Sequence, residues 1–255
     1  DDEFKMLNKN FNNMIERLKQ QQEKLLTAER YSAWETVARK LAHEIKNPLT
    51  PIQLSIDRLR DKYSKKISGG GIEFEKYLET INRQIKDIEK LVNEFSSFAR
   101  MPRPIMKKTE INKLVSRSFD LSKISSKYQM KIIRGKKDLF INGDEEQLNR
   151  VFINLIKNSQ ESLDEKASKT QGFKGKIEVE IDVNNHYIVV SVEDNGIGVL
   201  DIKKAMNPYY TTKAKGTGLG LPIVNKIINE HNGELIINNN SKEGLTVKVL
   251  IPKYE

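Results

Sequence analysis

Residues 43–50 read His-Glu-Ile-Lys-Asn-Pro-Leu-Thr and lie in a stretch whose apolar residues recur every three or four positions. This spacing predicts an amphipathic helix, with the stripe Trp34, Ala38, Leu41, Ile45, Pro48, Ile52, Ile56, Leu59 and Tyr63. The break Ser68-Gly69-Gly70-Gly71 ends it, and a further stripe follows, consisting of Phe74, Leu78, Ile81, Ile85, Ile88, Val92, Phe95 and Phe98. The pair predicts an antiparallel helical hairpin. Because one hairpin buries its stripe poorly, we expect two hairpins to form a dimeric antiparallel four-helix bundle.

The residues before this hairpin also have helical periodicity. Apolar side chains at three- and four-residue spacing predict an N-terminal coiled coil, and they are Phe4, Leu7, Phe11, Met14, Leu18 and Leu25. The hairpin stripe does not continue this register, so the seam must shift between Leu25 and Trp34.

The residues after the hairpin predict a different architecture. Met101-Pro102-Arg103-Pro104 predicts a linker over residues 102–106, because prolines end helices. Beyond it, helical patterns near 111–126, 144–163 and 219–231 are interspersed with strand-like segments at 130–133, 139–141, 177–183, 187–193, 234–237 and 245–251. Asn184-Asn185-His186 is a hairpin turn signal. We therefore predict an α/β sandwich with a mixed or antiparallel sheet.

Composition excludes several classes of function. The 255 residues include no cysteine, which rules out disulfides, thiolate metal sites and cysteine nucleophiles. The net charge of +9 is not concentrated in basic runs interleaved with aromatic residues, so no nucleic-acid partner is expected. No stretch reaches the ~20 consecutive apolar residues that a membrane-spanning helix needs. His186 is expected in a polar turn, and His231 as a cation at a helix end.

His43 is the candidate for chemistry in the first half. It follows Leu41 by two positions, which predicts that its side chain points away from the apolar stripe. Glu44 can accept one imidazole proton and so raise the nucleophilicity of the other nitrogen. Pro48 is expected to kink the helix just after these residues. A surface histidine without function is the simpler interpretation, but an exposed, base-assisted histidine is suited to accepting a phosphoryl group.

The second half carries features suited to holding a nucleotide. Asn154 and Asn158 lie one helical turn apart, and their side-chain oxygens can bind a hard cation such as Mg²⁺, although a solvated helix face is the simpler interpretation. Asp194 starts the glycine-containing segment 194–198 and can accept a hydrogen bond from an exocyclic amine. A second glycine-rich segment, 216–221, opens a helix, where free N–H groups favour a phosphate. The polar residues 208–213 between the two segments predict a mobile lid.

Taken together, these segments resemble the sensor histidine kinases of bacterial two-component systems. The histidine box at 43–51, the asparagine box at 154–158, both glycine segments and the aromatic box 209–213 occur in that family's order. The sequence His-Glu-Ile-Lys-Asn-Pro-Leu-Thr-Pro is most similar to the NtrY-type nitrogen-sensing branch.

The resemblance implies a domain organisation. Residues 1–30 resemble the end of a HAMP module followed by a signalling helix. Residues 31–101 would be the dimerisation and histidine phosphotransfer hairpin, and 107–255 an ATP-binding domain of the gyrase and histidine-kinase ATPase fold. Transmembrane helices would precede this chain, making it the cytoplasmic portion of an inner-membrane sensor. Its partners would be a second copy and a response-regulator receiver domain.

The resemblance also implies roles for individual residues. His43 would accept phosphate from ATP with Glu44 as its base, and Asn47 matches the position that orients water when such kinases dephosphorylate their partner. Asn158 would hold Mg²⁺, supported by Asn154. Lys157 and Lys213 would neutralise phosphate charge. The other residues implied to contact ATP are Asp194, which would bind the adenine amine, and Gly196, Gly198, Tyr210, Thr212, Gly216, Thr217, Gly218, Leu219 and Gly220.

The sequence departs from the family pattern at two positions. Ser159 follows Asn158 where alanine is common, and Glu243-Gly244-Leu245 lacks the usual glycine pair.

Three other functions remain open at this stage. The chain can be a signalling scaffold or phosphatase-biased member with weak kinase activity. It can be a gyrase-related ATPase that remodels a partner, or a basic nucleic-acid-binding module.

Overall fold

The structure, a computed structural model, describes residues 2–63, 71–99, 101–135, 138–184, 186–208, 210–213, 216–240 and 243–254. Within the first helix only part of the side chains are described, and that of His43 lies outside this set. The chain separates into two compact units, Asp1–Met101 and Pro102–Glu255.

The first unit is a helical hairpin. Helix α1 spans Asp2–Tyr63 and continues through Pro48 and Pro51, and helix α2 spans Gly71–Ala99. The predicted loop at 68–71 lies largely outside the described residues. Gln53 Nε2 donates to Asn82 Oδ1 at 2.9 Å and so joins the two helices in register.

The seam of this hairpin differs from the predicted stripe. The buried residues repeat every seven positions on both helices: Ala42, Leu49 and Ile56 on α1, and Leu78, Ile85 and Val92 on α2. Most of the predicted α1 stripe is exposed, namely Leu41, Ile45, Pro48, Ile52, Leu59 and Tyr63. The apolar surface of α1 is wider than one partner helix can cover. Helix α2 covers only the side of it that carries Ala42, Leu49 and Ile56 at seven-residue spacing.

The second unit has two layers. Its helices are α3 (Ile111–Ile124), α4 (Glu145–Lys169), α5 (Ile202–Ala205) and α6 (Gly220–Glu230). Its strands are β1 (Lys107–Glu110), β2 (Gln129–Ile133), β3 (Phe140–Gly143), β4 (Lys176–Val183), β5 (Tyr187–Asp194), β6 (Glu234–Asn239) and β7 (Leu245–Pro252). Five strands form one sheet in the order β2-β4-β5-β7-β6, in which only the β2–β4 pair is parallel. Of the two predicted alternatives, a mixed or an antiparallel sheet, the structure has the mixed one.

Alternating side chains of this sheet face α3, α4 and α6. Alternate residues of the central strands are buried, as period-two patterning requires: Ile177, Val179 and Ile181 on β4, Ile188, Val190 and Val192 on β5, and Val247, Val249 and Ile251 on β7. The helices contribute Val151, Phe152, Leu155 and Val224, each fully or almost fully buried. This core fixes α4 and α6 beside the end of β5, where Asp194 lies.

The segment predicted as a linker is attached to α4. The backbone N–H of Ile105 donates to Asp144 Oδ2 at 2.8 Å, and Gln147 Nε2 donates to the carbonyl of Pro102 at 2.8 Å. Asp144 also caps α4, since its Oδ1 accepts from the N–H groups of Glu146 and Gln147. Partial burial raises the pKa of Asp144, but these backbone donors outweigh it, so the pKa lies below its ordinary value.

His231 is not the cation that its position at a helix end predicts. It is 2% exposed, its Nδ1 donates to the carbonyl of Ile227 at 2.7 Å, and its Nε2 accepts from the N–H of Asp144 at 2.9 Å. Burial lowers the pKa of His231 and outweighs the contact with Ile227. Buried acceptor and donor partners on its two nitrogens require the neutral ring.

We expect the free energy of unfolding to fall as the pH drops below about 6.5, the ordinary pKa of histidine. The folded state resists protonation of His231 while the unfolded chain accepts the proton, so acid favours unfolding in the interval between the lowered pKa and 6.5. The slope from this one group cannot exceed about 1.4 kcal/mol per pH unit. Urea unfolding at pH 7.5 and 5.5 measures it. His231→Gln should flatten the dependence and the exposed control His186→Gln should keep it; equal slopes in both variants would refute the assignment.

Candidate functional site

The two predicted asparagines lie on the same stretch of α4. Asn154 Nδ2 donates to the carbonyl of Arg150 at 2.8 Å, which holds its side chain along the helix. A Cβ placed on Gly220 would lie 3.3 Å from both amide atoms of Asn158. The N-terminus of α6 therefore lies directly against Asn158, and a bulkier residue at Gly220 would press on the amide.

Asp194 is a buried carboxylate at the end of β5. It is 4% exposed, and its Oδ1 accepts from the N–H of Gly196 at 2.9 Å. Burial raises the pKa of Asp194; hydrogen bonds from Gly196, Ser159 and the Leu245 N–H lower it without cancelling that effect. A desolvated carboxylate with only part of its acceptor capacity used is suited to binding a ligand N–H group.

The first glycine segment is built closely around this carboxylate. A Cβ on Gly196 would overlap the hydroxyl of Ser162, which also accepts from the N–H of Ile197 at 3.1 Å. Gly198 has φ +71°, and a Cβ there would lie 2.9 Å from Asn239 Oδ1. Both positions require glycine because neighbouring side chains occupy the space that a Cβ would fill.

The second glycine segment forms the entrance to α6. Gly218 has φ +68°, and a Cβ on Gly216 would overlap the Thr211 hydroxyl. Thr217 Oγ1 accepts from the N–H of Leu219 at 3.4 Å. Leu219, predicted to contact ATP, is 2% exposed and anchors the segment in the core. Gly220 and Leu221 carry the N–H groups of the first turn of α6, since Pro222 has none, and the N-terminus of a helix is suited to an anion.

The predicted lid is described in part, with Tyr209 outside the described residues. Tyr210 is half-buried and Thr212 is exposed. Lys213 Nζ donates to Glu161 Oε2 at 2.7 Å and to the carbonyl of Asn158 at 3.3 Å. The lid thus contacts α4 through Lys213, the lysine that the family resemblance implies would neutralise phosphate charge.

At both places where the sequence departs from the family pattern, a residue supports Asp194. Ser159 is buried, and its hydroxyl hydrogen-bonds the carboxylate. Gly244 has φ +99°, and a Cβ there would overlap the carbonyl oxygen of Asp194. Asn240 Nδ2 also donates to this carbonyl at 3.2 Å. Sequence reasoning could not assign these roles, since Gly244 and Asp194 are far apart in the chain and only folding brings them together.

Lys166 was also missed. Its Nζ donates to the carbonyls of Asn195 at 2.7 Å and Gly196 at 3.2 Å, and pairs with Glu243. It therefore joins α4, the first glycine segment and the β6–β7 turn around the Asp194 carboxylate. In the sequence, only the position of Lys166 one helical turn after Ser162 could have indicated this role.

We expect Ser159→Ala to weaken ATP binding about fivefold. A hydrogen bond to a charged group contributes about 1.5–3 kcal/mol, but the N–H groups of Gly196 and Leu245 remain on the carboxylate and limit the loss. Because the serine stabilises the ionised form, its removal should raise the pKa of Asp194 further, so the loss of affinity should grow as the pH is lowered from 8. Calorimetric titration measures both. The exposed Ser168→Ala should bind as wild type; undiminished affinity in Ser159→Ala would contradict this role.

The other predicted residues lie on α1 in the first unit. Glu44 and Asn47 are exposed there, while His43 is described only as a helical backbone position one residue after buried Ala42. No group of three or more histidine, aspartate or glutamate side chains that could hold a metal occurs among the residues with described positions. Within the same ranges, no helix is long and apolar enough to cross a membrane.

A cavity of about 340 Å³ lies elsewhere in the second unit, lined by Phe140, His186, Ile188, Lys253, Tyr254 and their neighbours. It adjoins the start of β5, whereas Asp194 is at the end of that strand. The candidate site, defined by α4, the two glycine segments and the lid, is therefore separate from this cavity.

Two family patterns match the chain. Residues 33–104 match the family described as "His Kinase A (phospho-acceptor) domain". Residues 143–255 match "Histidine kinase-, DNA gyrase B-, and HSP90-like ATPase". The first match includes His43, and the second includes α4, Asp194 and both glycine segments.

The proteins and solved structures to which this chain is similar include NtrY-type proteins and histidine kinases. An NtrY-like sensor histidine kinase of Rickettsia conorii is 43% identical over 97% of this chain and 41% of its own length. The nitrogen regulation protein NtrY of Azorhizobium caulinodans is 36% identical over 91% of the chain and 31% of its own length. The chain therefore spans less than half of these relatives. The catalytic domain of histidine kinase ThkA has a TM-score of 0.50 at 27% identity, covering 58% of this chain and 95% of that one.

A longer structure shares the fold of more of the chain. Histidine kinase ThkA, solved in complex with the response regulator protein TrrA, has a TM-score of 0.60 at 24% identity over 89% of this chain and 64% of that one. With a phosphoacceptor-type hairpin, an ATPase domain of the histidine-kinase type and NtrY-like relatives along nearly its whole length, the chain belongs to the two-component sensor histidine kinases, in the NtrY-like group.

Proposed function

We propose that this chain is an ATP-dependent protein-histidine kinase that phosphorylates His43 and passes the phosphoryl group to an aspartate of a response regulator. The observation that carries the proposal is the Asp194 carboxylate, which is buried and hydrogen-bonded by Ser159 and Gly196. Ser159 follows Asn158 on α4, and Asn158 lies against Gly220 at the start of α6. A site that pairs an amine-binding carboxylate with an anion-binding helix start is suited to adenosine triphosphate.

The transfer is a displacement at the γ-phosphorus. One imidazole nitrogen of His43 forms a bond to phosphorus, the bond from phosphorus to the β,γ-bridging oxygen breaks, and ADP leaves with that electron pair. Glu44 takes the proton from the other ring nitrogen as positive charge develops. The nucleotide domain contributes mainly position and charge neutralisation, as phosphoryl transfer requires. Asn47 is proposed to orient the water that attacks the phosphorylated regulator.

The residues present fit a magnesium ion accompanied by phosphate. Asn158 is half-buried, and no hydrogen bond to its amide occurs within the described parts of the chain. Mg²⁺ typically takes few protein ligands and completes its shell with phosphate oxygens and water, so one amide oxygen suffices here, with Asn154 on the preceding turn in support. The ion would neutralise phosphate charge. Lys157 and Lys213 are proposed to add positive charge beside it.

The exposed apolar stripe of α1 supports a homodimer. Leu41, Ile45, Ile52 and Leu59 are each 38–45% exposed, as are Ile81 and Ile88 on α2. A second hairpin would bury these side chains and complete a four-helix bundle. Sedimentation equilibrium tests this proposal, and a monomer at micromolar concentration would refute it.

Three further proposals rest on the family. The partner is a response-regulator receiver domain. The start of the chain is the end of a HAMP module, and the whole protein is anchored in the inner membrane by segments outside this chain, with these residues on the cytoplasmic side. Membrane fractionation of the full-length protein tests the location.

Incubation with γ-labelled ATP and Mg²⁺ tests the kinase activity. We expect label on the protein that is lost in acid and retained in base, as a phosphorus–nitrogen bond requires, and that moves to a receiver domain when a panel of these is added. Label that survives acid would place the phosphate on a hydroxyl group, and label that is lost in base would place it on a carboxyl group; either result would refute the proposal. ATP binding without any label would favour a scaffold.

A further inference from the structure

A carboxylate at the edge of the candidate site lies between two lysines. Glu161 is on α4, three residues after Asn158, and its Oε2 is 2.7 Å from Lys213 Nζ. Its Oε1 is 3.9 Å from Lys157 Nζ. The Lys157 contact is an ordinary pair between residues four apart on one helix, whereas the Lys213 contact joins α4 to the lid.

Lys213 is fixed from more than one side. Its Nζ also donates to the backbone carbonyl of Asn158 at 3.3 Å, and only 27% of its side chain is exposed. Its backbone is held as well, since its N–H donates to Thr211 Oγ1 at 3.1 Å and its carbonyl accepts from Gly216 at 3.1 Å. A long, flexible side chain is thereby held in one place between Asn158 and the second glycine segment.

The positive charge of Lys213 also acts on Asp194. Its attraction is among the contributions that lower the pKa of Asp194, against the dominant effect of burial. The ammonium group therefore lies within electrostatic range of both the proposed adenine ligand and the proposed metal ligand. Ion pairs at protein surfaces contribute little to stability, so the pair is better explained by what it does to the lysine.

We infer that Glu161 is a positioning residue: it holds the ammonium group of Lys213 beside Asn158, so that arriving ATP phosphates meet a cation already in place. This rests on the proposed function and adds to it a residue that acts through Lys213 without touching the nucleotide. A preplaced charge avoids ordering the lid side chain at the moment of binding.

A double-mutant cycle on Mg-ATP affinity tests this inference. Glu161→Gln and Lys213→Met should each weaken binding about fivefold, and the double variant should bind as weakly as Lys213→Met alone, because the glutamate acts only through the lysine. Glu165→Gln is the matched control: Glu165 lies one turn further along α4 and pairs with Lys169 at 2.7 Å, and this variant should bind as wild type. Losses that multiply in the double variant, or full affinity in Glu161→Gln, would overturn the inference.

The charge-exchanged variant Glu161→Lys with Lys213→Glu separates positioning from fastening of the lid. It keeps an ion pair between α4 and the lid but moves the cation. We expect affinity to stay low; recovery to the wild-type value would mean that the pair only fastens the lid, and would overturn the inference. Calorimetric binding is read independently of phosphate transfer. A wild-type chain that binds Mg-ATP but takes up no label would therefore refute the proposed kinase activity while the cycle still decides the role of Glu161.

Discussion

His43→Gln is expected to abolish incorporation of label from γ-labelled ATP, to at least about 1,000-fold below wild type. The side-chain amide of glutamine has no nucleophilic nitrogen, so no phosphorus–nitrogen bond can form. Glutamine is a good helix former, and position 43 lies inside α1. The hairpin should therefore remain folded. Mg-ATP affinity should be unchanged, since Asp194, Asn158 and the glycine segments belong to the other unit.

The other two histidines make the experiment specific. His231 cannot accept phosphate in the folded protein because both ring nitrogens are engaged, one by the carbonyl of Ile227 and one by the N–H of Asp144. His186 is exposed in the β4–β5 turn and is the matched control. His186→Gln should incorporate label as wild type does. If the label persisted in His43→Gln and vanished in His186→Gln, the phosphoacceptor assignment would be wrong.

Local patterns predicted most of the second unit correctly. Alternation of apolar residues located β4 and β5, and the turn between them is closed as expected, with Asn184 Oδ1 accepting from the N–H groups of His186 and Tyr187. Strand β1 was not predicted, because Lys-Lys-Thr-Glu has no apolar alternation. It forms only because β3 offers an antiparallel partner. Short polar strands of this kind are determined by their neighbours and not by their own residues.

The hairpin seam shows a second limit of pattern analysis. Spacing alone identified an apolar surface on α1 but not which edge of it faces α2. Ala42 lies in the seam although its small side chain made it an unremarkable residue in the sequence, while the larger Ile45 and Ile52 stay exposed. Which edge is buried within one chain depends on the helix that packs there, and α2 supplies complementary residues only at heptad spacing.

The site was predictable where a residue acts through its own chemistry, and not where it acts through another residue. Asp194 and the glycine segments were found from their type and position. Ser159, Gly244 and Glu161 were missed, because each acts by contacting a residue distant in sequence: the first two support Asp194, and the third holds Lys213. The family comparison even marked Ser159 as a departure, although the structure gives it a partner.

The second large effect is expected for Asp194→Asn, which should weaken ATP binding at least about 100-fold. The carboxylate is proposed to accept a hydrogen bond from the adenine amine. The substitution removes this charge-assisted bond and also introduces an NH2 donor opposite another donor. If the asparagine turned its amide nitrogen toward Gly196, two donors would face each other, because the N–H of Gly196 now donates to the carboxylate. Turned the other way, it would present a donor to the adenine amine.

Stability should respond much less than binding to this substitution. Burial raises the pKa of Asp194, which means that the fold holds the charged form at a cost. Removing the charge relieves that cost and offsets part of the lost hydrogen bonding, so the melting temperature should change by only a few degrees. Calorimetric titration and thermal unfolding measure the two effects. Asn195→Ala would not serve as a control, because Asn195 Oδ1 accepts from the N–H of Lys176 at 2.7 Å.

The exposed Glu193→Gln is the better control. Glu193 Oε1 accepts from Asn240 Nδ2 at 3.4 Å, and the side-chain oxygen of glutamine can accept the same hydrogen bond, so this variant should bind ATP nearly as wild type does. Nucleotide preference provides a further test of the assigned chemistry. A carboxylate at this position accepts from the amine of adenine but repels the carbonyl oxygen that guanine carries at the equivalent ring position, so wild type should prefer ATP to GTP strongly. Asp194→Asn can donate to that carbonyl and should lose most of the preference. If Asp194→Asn kept both its ATP affinity and its discrimination against GTP, the adenine would have to be bound by another group, and the buried carboxylate would be only a structural support for the first glycine segment.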